Sequence, residues 1–131
     1  MNSRPSIYVA CAIALGIGSA AAATPESQLA DYAKAAGAEP QAARGQAFFT
    51  ARHGGQWSCA TCHTEAPTVT GRHASTGKSI APLAPAFDPG RFADNAKTEK
   101  WFRRNCKDVL GRECTPLEKA DVLAWLLSLK S

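Results

Sequence analysis

Methionine is nearly absent from this 131-residue chain: Met1 is its one instance. Long apolar runs are missing as well. The longest, Ile7 to Ile17, is too short to span a bilayer comfortably, so no integral membrane segment is expected in the mature chain. Consecutive basic residues stop at the pair Arg103-Arg104, and the formal net charge is only +4. That excess is insufficient for a nucleic-acid binder, although a local basic face stays possible. No internal repeat and no strand pair is visible, nor is there any site for a nicotinamide or a flavin. The length excludes a second domain of ordinary size, and 45% hydrophobic with 20% charged residues fits one globular domain.

The first 23 residues read as a secretory signal. Arg4 carries the only side-chain charge there, the apolar run follows, and Ser19-Ala20-Ala21-Ala22-Ala23 offers a small-residue cleavage site. Residues 1–23 are therefore expected to be removed, leaving 24–131 as one domain in the periplasm. Met1 leaves with them, so the mature chain holds no thioether side chain. Cys11 also leaves; a lipid-anchor role for it is disfavoured because most of the apolar run follows it. Four cysteines stay in an oxidising compartment: Cys59, Cys62, Cys106 and Cys114.

The mature chain reads as all-α with a large irregular middle. Thr24-Pro25-Glu26 starts a helix and Gly37 stops it. A second helix is expected from Pro40 to about Arg52. Residues 53–95, rich in proline and glycine, read as a long loop with a short helix near Cys59. Such a loop is unusual in a compact domain unless it wraps a bulky cofactor. A third helix is expected from about Ala96 to Leu110, ending at Gly111. The fourth starts at Thr115-Pro116-Leu117-Glu118, where Thr115 and Glu118 can form a capping box, and carries Val122, Leu123, Trp125, Leu126 and Leu129 at helical spacing.

Cys59-Ala60-Thr61-Cys62-His63 is C-x-x-C-H, the attachment pattern of c-type haem. The spacing puts both sulfurs on one side of a helical turn, where they can form thioethers with the porphyrin. His63 is then held where its imidazole can bind the iron. A zinc site would need a second ligand loop, a thioredoxin-like pair would need a βαβ context, and a plain disulfide would leave His63 without a purpose. One covalently attached haem c is the expected cofactor.

Gly45 and Phe49 lie on one helix face, so a glycine notch and a ring can meet another helix beside the haem, with Trp125 as the expected contact. At this point the chain resembles a class I cytochrome c, whose terminal helices cross at such a pair. That family's loop proline, whose carbonyl orients the proximal histidine, has a counterpart in Pro82; a simple turn proline is the alternative.

With no mature methionine, the sixth position of the iron has His53, His73, a lysine, a weak oxygen donor or nothing to fill it. Projected on the third helix, Trp101, Phe102, Asn105, Cys106, Val109 and Leu110 share one arc, and Lys97, Lys100, Arg103, Arg104 and Lys107 the other. Asn105 thus falls in the middle of the apolar side. A buried amide needs partners or costs about 1–3 kcal/mol. It can bond backbone or a propionate, or turn its oxygen to the iron. Cys106 can close a loop with Cys114, which would pin the helix end beside Asn105.

The segments Gly77-Lys78-Ser79-Ile80-Ala81-Pro82-Leu83-Ala84-Pro85, Arg103-Arg104-Asn105-Cys106, Gly111-Arg112-Glu113-Cys114-Thr115-Pro116 and Ala120-Asp121-Val122-Leu123-Ala124-Trp125 resemble the sphaeroides haem protein family. Members of that family are oxygen-binding cytochromes c. The resemblance spans almost the whole mature chain. It implies that Asn105 is the distal ligand opposite His63, that Cys106 and Cys114 form a disulfide, and that a di-haem c-type cytochrome is the redox partner. An amide oxygen prefers ferric iron, so reduction would release Asn105 and open the ferrous site to O2, NO or CO. Two alternatives stand beside this: an electron carrier with His63 plus His73 or His53 as axial ligands, and a terminal reductase of oxygen, peroxide or a nitrogen oxide.

Overall fold

Side-chain caps start four of the five helices, and the computed structural model, which describes residues 22–131, shows each of them satisfying a backbone N–H. The expected signal segment 1–23, with Arg4 and Cys11, lies almost entirely outside the described residues. Helix α1 (Pro25–Ala36) is capped by the Thr24 hydroxyl accepting from the Ser27 N–H and ends at Gly37, whose φ of 62° is left-handed. Helix α2 (Ala42–Thr50) is shorter than the sequence suggests at both ends. Gln41 is extended and gives its N–H to the Asp121 carboxylate at 2.7 Å, and Ala51 is extended ahead of a turn in which His53 and Gly54 both have positive φ.

The attachment motif forms its own short helix, α3 (Cys59–His63). Ser58 caps it by accepting from the Thr61 N–H, and the Thr61 hydroxyl accepts from the Ser58 N–H in return. Helix α4 (Asn95–Leu110) begins one residue early because the Asp94 carboxylate accepts from the Lys97 N–H at 2.9 Å, and it stops at Gly111. Helix α5 (Pro116–Ser128) carries the expected Thr115 and Glu118 capping box.

The sequence gives no sign of strands, yet β1 (Gly71–Arg72) and β2 (Ser79–Ile80) pair antiparallel, Gly71 opposite Ile80. Two residues per strand are too few to produce a readable alternation. The fold is otherwise all-α, as the sequence implies.

Helix α5 is the centre of the packing and lies against both α1 and α2. Phe49, Val122, Trp125 and Leu126 form the buried core, with Phe48, Cys59, Leu83, Phe92 and Phe102 packed around it. The Gly45 notch is real, but its contact is not Trp125. A methyl on Gly45 would collide with the Asp121 carbonyl and stand 2.8 Å from the Val122 N, so α2 and α5 touch backbone to backbone there. Trp125 packs one turn further on, its ring 5.0 Å from that of Phe49. Asp121, buried at the same crossing, is ion-paired with Arg44 and also accepts from Arg44 Nη2 at 2.8 Å.

Candidate functional site

One large cavity, about 630 Å3, opens between α3, the loop after it, and α4. Its size falls in the range of cofactor clefts. Cys59, Cys62 and His63 line one part of it, and Asn105 lines it from α4 together with Phe102 and Cys106. The four residues that the sequence singles out for the haem therefore share a single cavity. Phe49 joins them, its ring centroid 6.2 Å from that of His63.

His63 is half-buried, and its Nδ1 is buried without a hydrogen-bond partner among the described residues. Burial, reinforced by the positive charge of Arg91 and by His73, pushes its imidazole down to about 4. The ring is thus neutral at physiological pH, the form that binds a metal. Burial also pushes the Cys59 thiol up to about 11. Such a site suits an uncharged thioether better than a thiolate, and this sets it apart from zinc or redox-active cysteine sites. Among the described residues no group of three or more His, Cys, Asp or Glu is placed to hold a metal ion by itself. A largely apolar cleft, the Cys59 and Cys62 sulfurs on its wall and a neutral imidazole fit a covalently bound haem.

The other histidines are placed differently. His53 is exposed, and its Nε2 lies 2.8 Å from the Phe48 carbonyl. His73 lines the cavity, with its Nδ1 facing the N–H groups of Ser75 and Thr76 at 3.4 and 3.3 Å. It belongs to the attachment side: the Ala74 N–H lies 3.3 Å from Cys62 Sγ, and a methyl on Gly71 would collide with the Cys62 carbonyl and stand 3.1 Å from the His63 Cα.

Pro82 does not stand free for the imidazole. Its carbonyl accepts from Arg91 Nε at 2.8 Å, while the Ala81 carbonyl accepts from Arg91 Nη2 at 2.7 Å. On the other side of this loop the buried Pro67 offers its carbonyl to the N–H groups of Leu83 and Ala84, at 2.8 and 3.0 Å. Arg91, Pro67 and Gly71 were not expected as site-building residues. Gly71 alone had a visible signal, as an isolated glycine that permits close backbone approach. Trp101, assigned by periodicity to the apolar arc, is 45% exposed on the cavity rim, and Lys97 and Arg104 of the basic arc line the cavity with it.

Cys106 and Cys114 are joined across the turn between α4 and α5, with Cα atoms 5.6 Å apart. Both line the cavity next to Asn105.

A helical shell that folds around a cleft, with a C-x-x-C-H helix on its wall, defines a monohaem c-type cytochrome. Residues 35–126 match the domain family described as a domain of unknown function, DUF1924. The cytochrome c-type protein SHP of Cereibacter sphaeroides is 51% identical over 107 residues, covering 79% of this chain and 82% of that protein. The solved structure of oxidised SHP, an oxygen-binding cytochrome c, superposes with a TM-score of 0.78 at 48% identity, covering 83% of this chain and 100% of that one. The solution structure of cytochrome c'' from Methylophilus methylotrophus, described for its haem-ligand detachment, gives a TM-score of 0.71 at 35% identity, covering 82% of this chain and 94% of that one. The chain belongs to the DUF1924 family and, within it, to the sphaeroides haem protein group of c-type cytochromes, which carry one covalently attached haem c.

Proposed function

We propose that this chain is a periplasmic cytochrome that binds small diatomic molecules at a coordination position closed by Asn105 and opened by reduction. In this proposal residues 1–23 direct export and 24–131 form the cytochrome. Cys59 and Cys62 hold the haem through thioethers, and His63 is the proximal ligand. When bound, the haem supplies a one-electron couple and, on the side away from His63, a place for a sixth ligand.

Asn105 is the residue that decides what happens there. Its amide oxygen is a hard, weak donor that favours ferric over ferrous iron. With haem bound, Asn105 would hold the ferrous form less well than the ferric, and its NH2 group would then be able to donate a hydrogen bond to O2, NO or CO. Cys106 and Cys114, as a disulfide, fix the end of α4 beside it. Electrons come from a redox partner, which the family resemblance suggests is a di-haem c-type cytochrome. The oxygen-binding relative and the relative with a detachable haem ligand each support one half of this proposal.

The observation that carries it is the placement of Asn105 on the same cavity as His63 but on a different helix, while His53 is exposed and His73 sits on the wall that bears the attachment motif. A bis-histidine carrier would need one of those two to cross the cavity. Absorption spectra of ferric and ferrous protein, with and without carbon monoxide, test the proposal. Ready formation of a carbon monoxide adduct on reduction is expected; a reduced protein that keeps six protein-bound ligands and refuses carbon monoxide contradicts it.

A further inference from the structure

Charge is unevenly placed on this molecule. Residues 24–131 hold 14 basic side chains, one fewer than the 15 of the full sequence because Arg4 precedes them, against 11 acidic ones. Helix α4 has five of the basic residues, Lys97, Lys100, Arg103, Arg104 and Lys107, and two of the acidic ones, Glu99 and Asp108. The remaining nine basic and nine acidic residues cancel. The net side-chain charge of residues 24–131 thus equals the +3 carried by α4 (five basic less two acidic side chains).

The five cations of α4 are exposed, and none of them forms a salt bridge among the described residues. Glu99, by contrast, is paired with Lys119 of α5 at 2.7 Å. At the edge of the basic face, beside Lys97 and Arg104, stands Trp101, 45% exposed, with the Arg104 guanidinium 5.8 Å from its ring centroid. Large exposed aromatics beside arginine are the residue types that dominate binding energy at protein interfaces. Trp101, Lys97 and Arg104 also line the rim of the cavity, so whatever covers this face lies against the cofactor cleft.

We infer that the basic face of α4, bordered by Trp101, is the docking site for an acidic one-electron carrier protein that reduces the haem across the cavity rim. The inference rests on the proposal that the cavity holds a redox-active haem. The step moves one electron from the carrier, which is oxidised, to the ferric haem, which becomes ferrous; no bond or proton is exchanged. The exposed cations of α4 steer the acidic carrier onto it, and Trp101, on the cavity side of that face, provides a desolvated contact. An anionic membrane would also attract a basic helix, but a protein carrier is favoured because the one large apolar residue of this face lies on the rim of the cofactor cavity rather than in a separate apolar stripe.

The test is stopped-flow reduction of the ferric holoprotein at low and high salt with reduced flavodoxin, an acidic carrier, and with a neutral reduced flavin. Lys100→Glu/Arg103→Glu changes two outward cations that do not line the cavity, and Lys34→Glu/Lys130→Glu is the control on the balanced remainder. The α4 variant is expected to be reduced by flavodoxin at least about tenfold more slowly at low salt and to lose most of the salt dependence. Its rate with neutral flavin and its carbon monoxide spectrum are expected to match wild type. Trp101→Ala should weaken flavodoxin binding while leaving the low-salt encounter rate nearly unchanged. Equal slowing by the Lys34→Glu/Lys130→Glu control, or an unchanged flavodoxin rate in the α4 variant, overturns the inference. So does an α4 variant that loses binding to phosphatidylglycerol vesicles but keeps its flavodoxin rate. Failure of the haem proposal would show instead in the spectra, which this experiment records separately.

Discussion

Gly45 and Asp121 meet backbone to backbone, so that α2 and α5 cross with no side chain between them. A β-carbon at position 45 would collide with the Asp121 carbonyl, which is buried and belongs to a helix whose inward side chains Leu123 and Leu126 are fully buried. Gly45→Ala must therefore spread the two helices, and is expected to cost about 1–3 kcal/mol or more. Chemical denaturation of the holoprotein checks this, with Ala47→Gly on the exposed face of α2 as the control, where only the helix-propensity cost of about 1 kcal/mol applies.

Arg91 ties down the loop that faces His63. Its guanidinium donates to the Ala81 and Pro82 carbonyls and pairs with Asp88 at 3.2 Å. Arg91→Ala leaves both carbonyls without that donor and is expected to cost about 1–3 kcal/mol. It also removes a positive charge that acts on the His63 imidazole. Ferric haem, with the higher charge, is then favoured, so the midpoint potential in a spectroelectrochemical titration is expected to fall; Arg91→Lys should restore the potential more fully than the stability.

The pair Cys106 and Cys114 closes a loop with a sequence separation of 8. On the chain-entropy estimate, Cys106→Ser/Cys114→Ser loses about 2.5 kcal/mol of stability. Thermal unfolding of the holoprotein measures this. If Cys59 and Cys62 hold the haem as proposed, a thiol titration of denatured protein spanning residues 24–131 should find no free thiol.

Glu118 makes α5 sensitive to acid. The Arg112 guanidinium beside it, aided by the Thr115 N–H, holds its carboxyl below the usual carboxylate range against the opposing effect of partial burial. A depressed folded pKa means that the stabilisation is present above the unfolded carboxylate value, about 4.3, and is lost as pH falls through and below it. Because Arg112 is exposed, solvent screens the pair and its contribution is small. Glu118→Gln keeps an acceptor for the capping box and removes the charge. It should lower stability slightly at pH 7 and leave it unchanged at the acid end, as urea titrations at both pH values would show.

Both ends of α1, the stop of α4 and the start of α5 were legible because cap residues and glycine stops act locally: Thr24 or Thr115 needs only its own first turn to satisfy a backbone N–H, whereas the Asp94 cap of α4 was not read from the sequence. The C-x-x-C-H site was legible for a similar reason, since its chemistry lies within five consecutive residues. The segment 53–95 was not. Its order comes from contacts distant in sequence, such as the Pro67 carbonyl with Leu83 and Ala84 and the Arg91 clamp, none of which leaves a periodic trace. Trp101 shows the limit of periodicity. The helical projection places it with the apolar residues, and a pattern of apolar positions does not distinguish a core contact from a cavity rim. For Asn105, the pattern located a polar residue on the apolar side of α4; only the fold brings it to the cavity that His63 lines.

The most direct measurement is the absorption and resonance Raman spectrum of Asn105→Ala in both oxidation states. If the amide oxygen closes the sixth position only while the iron is ferric, the variant loses the wild-type ferric spectrum and keeps the wild-type ferrous spectrum, still binding carbon monoxide. Ferric spectra identical to wild type would place another ligand on the iron and contradict the account.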